Sequence, residues 1–336
     1  MLKIGLIGCG GMGSVHANSW IALGDKVQLA AIADPQPEKA KEFCEKTGAK
    51  LYPDGEALLA NEQQLDIIDV CVPTFLHTRY AVAAMEKGMN VFCEKPLCLN
   101  REEAELLLET KEKTGMKFQV GQVIRFWDEY CYVKHAAESG EFGKVLSGVF
   151  TRLSPNPKWS WENWFNDYTR SGTMALDLHV HDVDFIRYLM GREPDGFHTD
   201  CTRDADGVIQ QIFTCFQYGD AVFTAEGCWD YPDCFPFSMA FRVKFEKATV
   251  TYKSDEKLMV YPVAGEAYEP ELDKMKAEGK ESGINVSNQG AYTNELRFFA
   301  DFVSTGAKQE IAPLSEGVKS VLLALKEIDA AGGAKI

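Results

Sequence analysis

An apolar run at the start of the chain, residues 4–7, leads directly into glycines at positions 8, 10 and 13 and then into a helical pattern. In such a strand–turn–helix unit the first glycine permits a tight turn, and the second lets the backbone approach a pyrophosphate. The third lets the helix pack closely on the strand. The spacing therefore predicts a dinucleotide-binding turn with these cofactor-binding residues: Gly8, Gly10, Gly11, Met12 and Gly13.

An acidic residue follows the next apolar run at the distance that a dinucleotide site requires. Val27–Ala33 predicts a second strand, and Asp34 comes about 20 residues after the glycines, where a carboxylate accepts the ribose hydroxyls. A carboxylate repels a 2′-phosphate, and residues 35–37 contain no Arg or Lys, so NAD is favoured over NADP. The alternative is an ordinary βαβ unit in which Asp34 is a plain strand-end residue.

Charge and cysteine usage limit the class of protein. The net charge of -15 argues against nucleic acid or an anionic membrane as a partner. The ten cysteines form no CxxC pair, so neither a zinc ribbon nor a disulfide framework is predicted, and a reducing cytoplasm is expected. No apolar run approaches membrane-spanning length, and the short apolar N-terminus belongs to the first strand, so no signal peptide is expected.

Two patterns of secondary structure divide the chain. Strands and helices alternate to about residue 121 and predict an α/β, doubly wound parallel sheet of Rossmann type over residues 1–122. Residues 123–336 predict an α+β domain with a large, mostly antiparallel open sheet, and its C-terminal helices could pack back on the first domain. Residues 264–290 predict an irregular surface segment. Helical patterns are expected at about Gly172–Leu189, Tyr292–Val303 and Glu316–Ala331.

Polar residues follow two successive strands of the predicted parallel sheet. Pro73, Thr74 and His77 come after one strand, and Glu94 and Lys95 come after the next. Ligands bind at this edge of open α/β sheets, and a lysine there could hydrogen-bond a substrate oxygen and stabilise its developing charge. The alternatives are a plain strand-to-helix loop with a surface histidine, and a surface Glu–Lys pair.

A third cluster lies in the predicted helix near residue 180. If the segment is helical, Asp177 and His181 are four residues apart and share one face, where a carboxylate raises the basicity of an imidazole and orients it for proton transfer. Asp184 could add a metal ligand, but His179 and His181 would point to different sides, so no metal is expected. The alternative is a helix cap beside a core histidine.

Aromatic residues cluster just before this helix. Trp159, Trp161, Trp164 and Tyr168 occur together with Asn156 in a loop-like, proline-containing stretch. A sugar offers an apolar ring face and a rim of hydroxyls, which tryptophan and asparagine suit. The alternative is that the rings pack under a loop or at a subunit interface.

Taken in this order, the glycine turn, residues 73–77, the Glu94-Lys95-Pro96 element and the Asp177…His181 spacing resemble the Gfo/Idh/MocA family of oxidoreductases, over essentially the whole chain. The resemblance implies that Lys95 and His181 flank the reacting carbon and that Asp177 binds a neighbouring hydroxyl or orients the substrate. Ser171-Gly172 stands where the family often has two glycines, a departure that concerns the local turn.

The same resemblance implies an activity and partners. We expect an NAD-dependent oxidoreductase acting on a secondary alcohol of a sugar or cyclic polyol, working as a homodimer or homotetramer through the C-terminal sheet. Two alternatives stay open: a glycosidase that retains NAD and oxidises its substrate transiently, and a non-catalytic NAD-binding sensor. The expected cofactor-binding set adds Asp34, Pro73, Thr74, His77 and Glu94 to the glycine turn. The expected substrate-binding residues are Arg125, Asn156, Trp164 and Tyr292.

Overall fold

A computed structural model describes residues 1–272, 289–306 and 311–333 of the chain. They fall into two compact units. The first comprises residues 1–126 and the described residues between 289 and 318, and the second comprises residues 127–272 and 319–333. The predicted boundary after residue 122 stays a prediction, and most of the predicted irregular segment 264–290 lies outside the described residues. No helix in the described ranges is long and apolar enough to cross a membrane.

The first unit is built on a six-stranded parallel sheet with the strand order β3-β2-β1-β4-β5-β6. This is the doubly wound order, in which the direction of winding reverses beside β1, and the predicted Rossmann sheet is confirmed. The short β3 and the helix after it are additions that the sequence patterns did not predict. The strands are β1 (Leu2–Ile7), β2 (Val27–Ala33), β3 (Lys50–Tyr52), β4 (Ile67–Val70), β5 (Asn90–Glu94) and β6 (Phe118–Gly121).

The helices of this unit have defined ends. The side chain of Asn100 accepts a hydrogen bond from Glu103 N, and the helix that it caps ends before Gly115, which has a φ of +69° that suits glycine. The helices are α1 (Gly11–Ala22), α2 (Pro37–Thr47), α3 (Gly55–Asn61), α4 (His77–Glu86), α5 (Arg101–Thr114) and α10 (Gln289–Thr305).

The helix α10 completes the core of the first unit although it lies far away in sequence. Leu296 and Phe299 are fully buried and share one apolar cluster with Trp20 of α1 and Phe92 of β5. Burial of large side chains of this kind stabilises a fold by about 1.5–3 kcal/mol each. The apolar stripe that predicted a helix at Tyr292–Val303 therefore faces the first sheet's helical layer.

The second unit contains a seven-stranded sheet with the order β13-β12-β11-β7-β10-β9-β8. β7 and β10 run parallel, and the other neighbouring pairs run antiparallel, so the predicted mostly antiparallel sheet is confirmed. The strands are β7 (Val145–Pro155), β8 (Gly196–Arg203), β9 (Ile209–Tyr218), β10 (Ala221–Tyr231), β11 (Ser238–Phe245), β12 (Ala248–Lys253) and β13 (Met259–Pro262).

The predicted single helix at Gly172–Leu189 is wrong, because the segment forms separate helices on either side of Leu178 and His179. The His179 N–H bonds to the carbonyl of Met174, five residues back, which widens the turn and interrupts the α-helical register. The helices of the second unit are α6 (Asp128–Ser139), α7 (Tyr168–Ser171), α8 (Thr173–Asp177), α9 (Val180–Met190) and the part of α11 (Leu314–Ala330) that follows residue 318.

Buried polar contacts hold α9 against the sheet and α11. The guanidinium of Arg152 donates two hydrogen bonds of 3.0 Å to the carboxylate of Asp182, and both side chains are buried. The Ser320 hydroxyl of α11 donates to Asp184, and Arg187 donates to the same hydroxyl. Since such charge-assisted bonds in the interior have demanding geometry, α9 has a single well-defined position within this unit. Asp184, which could have supplied a metal ligand, is thus engaged by a hydroxyl.

Candidate active site

The glycine turn after β1 has the close approaches that its spacing predicts. A Cβ added at Gly13 would lie 2.0 Å from the carbonyl oxygen of Gly8. Gly8 has a φ of +91°, and a Cβ added there would lie 2.6 Å from the carbonyl oxygen of Cys71. These positions exclude any side chain. At Gly10 a Cβ would meet nothing within 4 Å, so the turn leaves open space above the first residues of α1.

Asp34 is joined to this turn by hydrogen bonds. One carboxylate oxygen accepts the N–H of Cys9 at 2.7 Å and the other accepts the N–H of Gln36 at 2.8 Å. The side chain is only 6% exposed. Each carboxylate oxygen has a second lone pair available for a ribose hydroxyl. The strand-end acid and the glycine turn therefore form one structural unit at the carboxyl edge of β1 and β2.

One alternative placed His77 on the surface, and the structure shows that it is buried. It is 1% exposed, and its Nδ1 and Nε2 lie 2.9 and 2.8 Å from the carbonyl oxygens of Pro96 and Val72. Burial lowers the pKa of His77, although the two carbonyls oppose that shift. The imidazole thus connects the loop after β4, which carries Pro73 and Thr74, to the loop after β5. It can hold these loops in place from beneath.

Glu94 and Lys95 end β5, and Glu94 is not part of an exposed pair. The Glu94 side chain is buried, with Oε1 3.1 Å from Nε2 of His16, and Oε2 accepts the backbone N–H of Lys95 at 3.2 Å. A Cβ at Gly121 would lie 2.7 Å from the same Oε1. Glu94 therefore fixes the backbone that carries Lys95, while the Lys95 side chain is half-buried.

A buried polar cluster beneath this edge was missed by the sequence analysis. The Nδ1 atom of His16 lies 3.0 Å from Asp69, whose carboxylate also accepts the indole N–H of Trp20 at 2.6 Å. Cys71 and Glu295 complete the group, and the ligand atoms of His16, Glu94 and Glu295 lie within 4.8 Å of one another. A charged residue inside the otherwise apolar strand Ile67–Val70 was the available sequence signal.

The surroundings of this cluster raise the pKa values of two of its members, His16 and Glu295. Burial opposes charge on His16, but Cys71 and Asp69 outweigh it and raise the pKa of the imidazole. Both ring nitrogens face carboxylates at 3.0 and 3.1 Å, which suits a protonated ring. Burial and the carboxylate of Glu94 raise the pKa of Glu295 well above its ordinary range. The contact of His16 Nδ1 with Asp69 is a hydrogen bond, whereas the contact of Nε2 with Glu94 has the distance of an ion pair without hydrogen-bond geometry.

The pKa of Glu295 is higher in the folded than in the unfolded chain, so folding at high pH requires this carboxyl to take up a proton. This requirement lowers the free energy of unfolding as pH rises. The unfolded carboxyl loses its proton above about 4.3 while the folded one keeps it, so stability falls as pH rises from there to the folded pKa. We expect Glu295→Gln to become more stable than wild type with rising pH, by up to about 1.4 kcal/mol per pH unit. Urea unfolding at pH 5 and pH 8 measures the difference.

The matched control is Glu102→Gln on the exposed surface of α5. It removes the same charge without touching the buried cluster, so its stability difference from wild type should not grow with pH. An equal pH trend in both variants would contradict the assignment of the buried proton to Glu295.

Two predicted substrate-binding residues lie in the first unit and are buried. Arg125 is 3% exposed and donates a hydrogen bond to the carbonyl of Ile311. Tyr292 of α10 is 9% exposed, and its ring centroid lies 6.3 Å from that of His16. The observed contacts are structural ones, and a role of either residue toward substrate stays a prediction.

In the second unit Asp177 ends α8 and His181 lies in the first turn of α9. Asp177 is 6% exposed and His181 is half-buried. The wide turn at His179 lies between them, so they do not occupy two positions of one regular helix as predicted. Such single wide turns are frequent at functional sites. The two residues thus lie four positions apart, on either side of this wide turn.

The tryptophan-containing segment packs around Phe165. The ring of Trp164 stacks on Phe165 with centroids 4.1 Å apart, and Trp159, which is 64% exposed, meets the same ring edge-on at 5.4 Å. The amides of Asn156 and Asn166 donate to each other at 2.7 and 3.0 Å. These contacts agree with the alternative in which the rings pack under a loop, and substrate binding by Asn156 and Trp164 stays a prediction.

A parallel sheet of doubly wound order, a glycine turn closed by Gly13 and a strand-end Asp34 define the first unit as a Rossmann-type dinucleotide-binding domain. Comparison with known proteins gives the same class. Residues 2–122 match the oxidoreductase family described as an NAD-binding Rossmann fold, and residues 130–251 match the GFO/IDH/MocA C-terminal domain. The chain belongs to the Gfo/Idh/MocA oxidoreductase family.

Individual relatives include inositol dehydrogenases. The chain is 33% identical to myo-inositol 2-dehydrogenase of Thermotoga maritima over 201 residues, 59% of this chain and 58% of that protein. It is 28% identical to scyllo-inositol 2-dehydrogenase (NAD(+)) of Bacillus subtilis over 57% and 55% of the two chains. The matches thus span little more than half the length of these relatives.

Similarity to solved structures extends over the whole fold. A levoglucosan dehydrogenase solved in complex with NADH superposes with a TM-score of 0.85, covering 98% of this chain and 97% of that chain at 19% sequence identity. At this identity the likeness establishes the fold.

Proposed function

We propose that the protein is an NAD-dependent oxidoreductase that moves a hydride between a secondary alcohol of a sugar or cyclic polyol and nicotinamide. The observation that carries the proposal is the glycine turn: Gly13 and Gly8 tolerate no side chain, Gly10 faces open space, and Asp34 is bonded to the turn through Cys9 N. The family match and the inositol dehydrogenases among the relatives support the substrate class.

The residues at the turn suit the dinucleotide. The open space at Gly10 lets the backbone approach a pyrophosphate at the start of α1, where N–H groups and the helix dipole favour negative charge. Asp34 retains acceptor capacity for two ribose hydroxyls and would repel a 2′-phosphate. These two features support NAD over NADP.

The proposed chemistry assigns one task to each of three residues. Bound NAD would supply the hydride acceptor, and the glycine turn with Asp34 would hold it. Lys95 donates a hydrogen bond to the hydroxyl oxygen and stabilises its negative charge, and His181 accepts the hydroxyl proton. Asp177 binds a neighbouring hydroxyl or orients the substrate. The C–H and O–H bonds break, the C=O bond forms, and one proton resides on the imidazole.

The proposal also covers the cellular compartment and the oligomeric state of the protein. All ten cysteines carry free thiols, and several of them are buried. Free thiols are typical of proteins in a reducing cytoplasm, which is the proposed compartment. β9 alternates buried and exposed residues, with Phe213 42% exposed, so the sheet offers a face on which a second copy could pack. A homodimer or homotetramer is proposed, and the mass in solution by light scattering tests it.

The test of the activity is the absorbance of NADH while the pure protein meets NAD and a panel of inositols, aldoses and glycosides. NADP is run in parallel, and the NAD dissociation constant is measured separately by fluorescence. Reduction of NAD with one polyol or sugar, and little with NADP, is the expected result.

Two other results would identify the rival functions. Cleavage of a glycoside without accumulation of NADH would assign the NAD-retaining glycosidase. Tight NAD binding with no turnover on any substrate of the panel would assign the sensor. Absence of NAD binding would contradict the proposal as a whole.

A further inference from the structure

A fully buried histidine lies midway between the two proposed functional residues of the second unit. His179 is 0% exposed and is the last residue of the junction between α8 and α9. It lies two residues after Asp177 and two before His181. Its backbone stays right-handed helical, with φ -67° and ψ -29°. The side chain of His179 is thus fully buried, whereas that of His181 is half-buried.

The backbone of His179 sets the register of both helices. Its N–H donates to Met174 O at 3.1 Å, five residues back, and its carbonyl accepts the N–H groups of Asp182 and Val183 at 3.1 and 3.2 Å. The first contact ends α8 in a wide turn, and the second starts α9. A shift of His179 would therefore move the segment that carries Asp177 and His181.

Glu327 of α11 holds this imidazole. Nε2 of His179 lies 2.7 Å from Oε2 of Glu327, and the same oxygen accepts the hydroxyl of Thr214 at 2.6 Å. Thr214 in turn lies 3.0 Å from the hydroxyl of Thr199 on the neighbouring strand. Glu327 and His179 are both 0% exposed, and hydrogen bonds to a carboxylate in such surroundings are short, strong and directional.

The sheet confines the imidazole from the other side. A Cβ at Gly227 of β10 would lie 3.1 Å from Cβ and 3.2 Å from Nδ1 of His179. The ring thus has the backbone of β10 on one side and the carboxylate of Glu327 at its tip. These two contacts confine the side chain on two sides.

We propose that Glu327 is a positioning residue: through His179 it fixes the junction of α8 and α9 and thereby the placement of Asp177 and His181. The inference rests on the proposed function for the tasks of those two residues. It predicts that Glu327, 146 positions along the chain from His181, controls the chemical step without touching substrate or cofactor.

The experiment compares variants of the full-length protein in the NAD assay. Glu327→Ala is expected to lower kcat by about a hundredfold, because a misplacement of about 1 Å costs that much in rate. The KM for NAD should stay near the wild-type value, since the glycine turn is in the other unit. The primary deuterium isotope effect on kcat should rise, because hydride transfer becomes slower than product release. Glu327→Gln, which keeps a hydrogen-bond acceptor, should recover much of the activity.

The matched control is Ser320→Ala, which removes buried hydrogen bonds between the same helices, α9 and α11, away from the junction. It should lower the unfolding midpoint as Glu327→Ala does but leave kcat and the isotope effect close to wild type. If kcat follows stability equally in both variants, or if Glu327→Ala keeps full kcat, the positioning role is overturned.

A measurement without turnover separates this inference from the proposed function. The imidazole ¹H and ¹⁵N shifts of His181, read by NMR, should change in Glu327→Ala and stay constant in Ser320→Ala. Unchanged His181 shifts in both variants overturn the inference. A wild-type protein with no turnover, but with the expected shifts, would contradict the proposed activity and leave the positioning contact supported.

Discussion

Lys95→Ala is expected to lower kcat on the polyol or sugar substrate by about a thousandfold. The ammonium group would be lost from the carboxyl end of β5, where it would stabilise the charge that develops on the substrate oxygen. The backbone there should be preserved, since Glu94 is held by His16 and accepts the Lys95 N–H through its own side chain. Steady-state kinetics with NAD and the substrate found in the panel measure the loss.

The affinity for NAD should remain near the wild-type value in Lys95→Ala, because the glycine turn and Asp34 are untouched. Lys87→Ala, at the exposed end of α4, removes a lysine of the same unit and should retain full turnover. Near-normal kcat in Lys95→Ala would exclude the proposed role of this residue. A parallel loss of NAD affinity would instead assign Lys95 to cofactor binding.

Gly13→Ala is expected to destabilise the fold by more than about 3 kcal/mol. Its Cβ would lie 2.0 Å from the Gly8 carbonyl oxygen, and that atom belongs to the backbone of a turn whose other side meets Cys71. No rotamer change can relieve the contact, so β1 and α1 would have to separate. Urea unfolding followed by circular dichroism measures the loss, and a stable variant with normal NAD affinity would contradict it.

Gly10→Ala is the matched control in the same turn and separates folding from binding. Its Cβ meets nothing within 4 Å in the protein and its φ is negative, so stability should fall only by the loss of a favourable N-cap, about 0.5–1 kcal/mol. The methyl group would occupy the space that the pyrophosphate needs. NAD should therefore bind at least tenfold more weakly, which corresponds to about 1.4 kcal/mol. Unchanged NAD affinity would place the pyrophosphate elsewhere.

The sequence by itself determined the class of fold and the dinucleotide turn. Alternating strand and helix patterns with right-handed crossovers leave few possible strand orders, and the observed β3-β2-β1-β4-β5-β6 order is one of them. The three glycines and Asp34 were found because a tight turn and a close helix–strand contact require those residue types at that local spacing. Local signals also predicted the helices at about Tyr292–Val303 and Glu316–Ala331.

Only the tertiary structure decided which polar residues meet inside the two units. The buried cluster draws on α1 (His16), β4 (Asp69) and α10 (Glu295), and the first and last of these residues are more than 200 positions apart in sequence. The local pattern around each residue predicts only that the element is buried, not which residues meet. The wide turn at His179 is likewise invisible locally, because a regular helix would satisfy the same residues. At this turn the backbone of β10 packs against His179 at Gly227, and Glu327 forms a hydrogen bond with the imidazole. Long-range packing, which no local periodicity encodes, therefore set the geometry around Asp177 and His181.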